Sequence, residues 1–76
     1  MLHEGNVEKV IVYLNGGDTF TFTEISSVSE HTSERGALAL EINYLADNET
    51  KALSKTIFVL TNNNVVHYTI IYKKNV

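Results

Sequence analysis

The chain has no cysteine, no proline and no tryptophan. Without cysteine there can be no disulfide, no thiolate metal site and no cysteine nucleophile. Without proline no strand is marked as an edge by a missing amide donor. No apolar run approaches the roughly 18 residues that a membrane helix needs. No basic segment followed by an apolar one stands at the start, so no secretory signal is expected and a cytoplasmic setting is. Asn48-Glu49-Thr50 matches a glycosylation acceptor, which carries no weight in that setting. Seventy-six residues suffice for one domain spanning 1–76. At this size folding buries only about 60% of the surface exposed by the unfolded chain, which leaves a thin core.

What is present points to β structure. Asn15-Gly16-Gly17-Asp18 lies between Val10-Ile11-Val12-Tyr13-Leu14 and Thr19-Phe20-Thr21-Phe22-Thr23. Two β-branched and aromatic runs around paired glycines predict a hairpin, because its turn needs positive φ and glycine reaches it without a Cβ clash. Alternation places Val10, Val12 and Leu14 on one face of the first strand, with Ile11 and Tyr13 on the other. In residues 19–25 Phe20 and Phe22 are expected inward. The alternation then breaks, since Glu24 falls on the phenylalanine face. A bulge near Thr23-Glu24 would restore register and bend the strand strongly.

Residues 26–36 (SSVSEHTSERG) are polar and read as a loop or frayed hairpin end. Residues 37–45 alternate cleanly, with Leu38, Leu40, Ile42 and Tyr44 on one face. Asp47-Asn48-Glu49-Thr50 is a turn. Ile57-Phe58-Val59-Leu60 is continuously apolar, as in a strand buried on both faces. After a second turn at Asn62-Asn63-Asn64, residues 65–73 set Val66, Tyr68, Ile70 and Tyr72 against Val65, His67, Thr69 and Ile71. The fold class is therefore all-β: a five-stranded antiparallel meander, strongly bent or closed into a small barrel. Apolar residues on both faces require such closure, or a second copy of the chain as cover.

The formal charge is −3, unevenly spread. Asp18, Glu24, Glu30, Glu34, Glu41, Asp47 and Glu49 face only Arg35 in the middle of the chain, whereas Lys51, Lys55, Lys73 and Lys74 have no carboxylate among them. An acidic face including Asp18, Glu24, Glu30 and Glu34 could engage a partner or imitate nucleic acid to block a host enzyme. Tyr72, Lys73 and Lys74 combine a stacking ring with positive charge, the pairing used by single-strand binders. The acidic balance opposes phosphate affinity, and Tyr68 and Tyr72 fall in register with Val66 and Ile70. Nucleic-acid binding is thus the alternative and not the main expectation.

His3, His31 and His67 lack the local spacing of metal ligands, with His3 read as part of a fraying terminus and His31 as part of the loop. No nucleophile elbow or phosphate loop is present, so neither an enzyme nor a cofactor is expected.

Val12-Tyr13-Leu14-Asn15-Gly16-Gly17 and Asn62-Asn63-Asn64-Val65-Val66 resemble, in order and placement, the two turn motifs of Sm-like and SH3-like small barrels. The family's Asp-x-x-Met-Asn and Arg-Gly nucleotide contacts are absent, so the resemblance implies shape and no RNA role. Thr19-Phe20-Thr21-Phe22, Val28-Ser29-Glu30, Ile57-Phe58-Val59 and Asn62-Asn63-Asn64-Val65-Val66 are similar in sequence order to small β proteins encoded by phages and prophages of Gram-positive bacteria. That similarity implies a small accessory protein and no known reaction. With no catalytic grouping, an unprotected strand edge and an acidic central surface, the expectation is a non-enzymatic module that binds a host or phage protein, or itself as a homodimer.

Overall fold

The computed structural model describes residues 2–32, 36–47, 49–61 and 64–74. It is all-β, with seven strands: β1 Leu2–Glu4, β2 Val7–Leu14, β3 Thr19–Phe22, β4 Ile25–Thr32, β5 Leu38–Asp47, β6 Ala52–Val59 and β7 Val65–Tyr72. They form two antiparallel sheets, one ordered β1-β4-β5-β6 and the other β3-β2-β7. The five-stranded meander is thereby corrected to seven strands in two layers, and among the described residues the layers do not close into a barrel. Among the same residues no helix is long and apolar enough to cross a membrane.

The hairpin forms as the glycine pair requires. Gly16 and Gly17 have φ of 102° and 96°, and β2 pairs with β3 from Val10 opposite Phe22 to Tyr13 opposite Thr19. The bend at Thr23-Glu24 is sharper than a bulge. Glu24 takes a φ of 54°, β3 ends, and β4 starts in the other sheet. The Glu24 carbonyl, turned away from β3, accepts the Leu45 amide at 3.0 Å. One residue in the left-handed region therefore transfers the chain between layers.

The polar segment expected as a loop is mostly strand. β4 runs inside the four-stranded sheet, between β1 and β5. Its one large apolar residue beyond Ile25, Val28, is fully buried. The polar residues around it find distant partners. Asn43 Nδ2 donates to Ser27 Oγ at 3.2 Å, and Glu30 bonds to His3 and Tyr68. Alternation within residues 26–36 could not reveal those partners. His3 and His31, assigned to a terminus and a loop, both stand on strands.

The core between the sheets consists of Val7, Val10 and Val12 from β2, Val28 from β4, and Leu40 and Ile42 from β5. Two bulges tune which side chains join it. A register shift between Val7 and Lys9 turns Val7 inward alongside Val10. A second, opposite Leu14, lets Val65 pack with Tyr68 and Ile70 while Val66 is 62% exposed. Val66 is thus corrected to the outside.

Phe20 and Leu38 are half-exposed instead of inward, because both stand at strand starts on the rim. Ile57 and Val59 are also exposed, while Phe58 and Leu60 pack on the core. The expectation of two buried faces for residues 57–60 fails because no described residue covers the outer face of β6. The Cα radius of gyration, 12.8 Å, exceeds the about 11 Å typical of a compact chain of this length, in keeping with so small a core.

Candidate functional site

The sheet order leaves β1 and β6 as edges of one layer and β3 and β7 as edges of the other. Side chains from the two layers meet at two seams of opposite chemistry. At the first, β3 lies over β5 and β6. Phe22 meets Tyr44 and Phe58 edge-on, with ring centroids 5.1 and 5.9 Å apart, and Phe20 leans on Phe58 at 6.2 Å. Edge-to-face rings at these separations attract through opposed quadrupoles as well as burying area. The Tyr44 hydroxyl is occupied by Thr56 Oγ1 at 3.0 Å.

At the second seam β7 meets β1 and β4 through four polar side chains in a chain of hydrogen bonds. Tyr68 donates its hydroxyl proton to Glu30 Oε2 at 2.5 Å. His3 Nε2 lies 2.7 Å from Glu30 Oε1, and His3 Nδ1 lies 2.8 Å from the Tyr72 hydroxyl. The Tyr68 and His3 hydrogen bonds, together with the imidazole charge, hold the Glu30 carboxyl below its ordinary value of 4.5. Burial, followed by the bond to Glu30, pushes the Tyr68 phenol up to about 12. An ionised carboxylate can only accept, so Nε2 carries the proton in the neutral imidazole and Nδ1 offers a lone pair to Tyr72.

Strand β6 offers the third feature, an edge left unpaired among the described residues. Along its eight residues Leu53 is 78% exposed, Ile57 51% and Val59 42%. An open cleft of about 340 Å³ lies between Ile57, Val59 and the Leu14–Val65 end of the other sheet. Another of about 290 Å³ lies beside Leu53, Lys55 and Asn43. A larger opening, about 690 Å³, runs past Lys9, Glu24, Leu53 and Lys73, where charges of both signs alternate.

Of the acidic residues proposed as one face, Asp18 sits in the β2–β3 hairpin and Glu24 at the other end of β3. About 20 Å of extended chain separates them. Glu30 is in the polar seam, and Glu34 lies outside the described residues. The structure brings Asp18, Glu24 and Glu30 to three separate places. Of the basic trio, Tyr72 is bound to His3, the Lys73 amide donates to the Asn6 carbonyl at 2.6 Å, and Lys74 is exposed.

Among the described residues no three histidine, aspartate or glutamate side chains converge as metal ligands would. His31 approaches Glu41 at 3.6 Å, and His67 stacks on Tyr13. Sequence reasoning missed the polar seam because His3 and Tyr72 lie 69 residues apart and no local pattern links them. Set against known proteins, the chain matches no family model, no curated protein and no solved structure.

Proposed function

We propose that this chain is a non-enzymatic protein-interaction module, of phage or prophage type as the sequence resemblance suggests. Its binding element is the free edge of β6, paired with the same strand of a second copy. The observation that carries the reading is an eight-residue edge strand with Leu53, Ile57 and Val59 exposed along one face. Unpaired edges of this length accept another strand by main-chain hydrogen bonding, with side chains selecting the register.

One antiparallel register pairs the whole exposed row of β6, from Leu53 to Val59, with itself. With the two-fold axis at Thr56, Leu53 opposes the partner's Val59 and Lys55 opposes the partner's Ile57. Moving the axis to Lys55 sets two ammonium groups directly opposite, which is unfavourable. Moving it to Ile57 carries Leu53 past the end of the strand. With the axis at Thr56, Lys55, a residue type that often guards an edge, faces an apolar side chain and no like charge across the pair. Pairing would join two four-stranded sheets into one and cover apolar surface that the thin core cannot.

Light scattering tests this directly. The expected mass is twice 8.5 kDa, reverting to that of one chain in Ile57→Lys with an unchanged circular dichroism spectrum. A single-chain mass for the unsubstituted protein at millimolar concentration overturns the proposal.

A further inference from the structure

Of the four tyrosines, Tyr72 has its hydroxyl within hydrogen-bonding distance of a histidine nitrogen. The residue is 52% exposed, and its hydroxyl hydrogen bond lies at the exposed surface. The same hydroxyl is 2.8 Å from His3 Nδ1, and His3 Nε2 is held 2.7 Å from Glu30 Oε1. Glu30 is itself fixed by the Tyr68 hydroxyl on its other oxygen. A nucleophile, a base in contact with it, and a carboxylate orienting that base form the arrangement by which enzymes activate hydroxyl groups. We propose that Tyr72 is a histidine-activated nucleophile and a site of covalent O-acylation by activated acyl donors. The inference is independent of strand pairing at β6.

The tautomer makes the step possible. Because Glu30 accepts from Nε2, the Nδ1 lone pair is the one presented to Tyr72. As the phenol oxygen forms its bond to the acyl carbon, its proton passes to Nδ1. The leaving group departs with its bonding electron pair and takes up that proton or one from water. The imidazolium that forms in between is stabilised by the Glu30 carboxylate. The product is an aryl ester on Tyr72, with His3 returned to its neutral form.

Tyr68 in the same network is held the opposite way. Its proton points at a carboxylate, and removing it would place two negative charges in contact. One carboxylate thus suppresses Tyr68 directly and activates Tyr72 through His3. Tyr13 supplies the internal comparison. It also lies beside a histidine, His67, but the rings stack face to face at 4.1 Å with planes 23° apart. The nitrogen lone pairs lie in the ring plane, so stacking supplies no path for a proton. Tyr44 has its hydroxyl on Thr56 Oγ1, which is not a base.

The test is acetylation with N-acetylimidazole at neutral pH, followed by peptide mass spectrometry over time. Tyr72 is expected to react at least tenfold faster than Tyr13, Tyr44 and Tyr68. His3→Phe keeps a ring beside Tyr72 and removes the base, and should bring Tyr72 down to the rate of Tyr13. Glu30→Gln keeps the hydrogen-bonding shape and should slow Tyr72 severalfold. Tyr68→Phe leaves base and carboxylate in place and should keep Tyr72 the fastest, with the native circular dichroism spectrum as the folding control. Equal rates at Tyr72 and Tyr13 in the unsubstituted protein, or an unchanged Tyr72 rate in folded His3→Phe, overturn the proposal.

Discussion

The two seams do the same mechanical job with opposite means. At β3, β5 and β6, Phe20, Phe22, Tyr44 and Phe58 hold the layers together by ring contacts. At β1, β4 and β7, His3, Glu30, Tyr68 and Tyr72 do so by directed hydrogen bonds around one carboxylate. Ring contacts are tolerant of angle and indifferent to pH. Hydrogen bonds to a carboxylate are exacting in both respects, and a partly exposed one contributes little net energy because water competes for it. The comparison shows why the seams suit different tasks: the aromatic one carries stability, and the polar one fixes which proton sits where.

The largest effect should come from the core that both seams share. Leu40 is fully buried, and Leu40→Ala should cost about 2–5 kcal/mol in urea denaturation. A domain of this size has on the order of 5 kcal/mol to lose, so the variant should be largely unfolded at 37 °C. A smaller loss would place the weight on the seams.

The seams themselves separate at the next level. Phe22→Ala, which removes ring contacts with Phe20, Tyr44 and Phe58 from a half-buried site, should cost about 2 kcal/mol at both pH 7 and pH 4. Glu30→Gln should cost about 1 kcal/mol at pH 7, since hydrogen bonds to a charged group are lost from a partly solvated position. A greater penalty for Glu30→Gln than for Phe22→Ala would reverse the ranking.

The smallest effects lie in the pH profile and belong to the polar seam alone. Glu30 titrates below 4.5 in the folded protein, so its contribution is complete above the unfolded value. As pH falls below 4.5 the unfolded chain binds the proton first, and stability declines. At the alkaline end the sign is opposite. The Tyr68 phenol, raised from 10.0 to about 12, keeps its proton longer when folded. Stability should therefore fall as pH rises from 10 towards 12, and Tyr68→Phe should abolish that part of the decline. Melting temperatures across both ranges check the two signs, and Phe22→Ala should leave both slopes unchanged.

Several features were legible in the residues. Alternation placed Val10, Val12 and Leu14 on one face, and Leu40 and Ile42 inward. The break at Glu24 marks where the chain turns, although alternation alone does not reveal the change of sheet. Alternation misplaces Val66 because a bulge shifts the period by one residue, and Ile57 because burial of an apolar run depends on a covering layer that local sequence does not encode. The polar seam was invisible for a different reason. Ser27, Glu30 and His3 look like loop and tail until strands distant in the chain supply their partners.

Local chemistry alone settled that this chain is β-structured: side chains alternate across an extended backbone, and the Gly16-Gly17 pair can take the φ values a tight hairpin needs. Tertiary structure alone decided the division into two sheets, the free edge of β6, and the meeting of His3 with Glu30 and Tyr72. Strand order is set by which distant segments bury each other's faces and satisfy each other's polar groups, and that free energy belongs to the pairing, not to either segment.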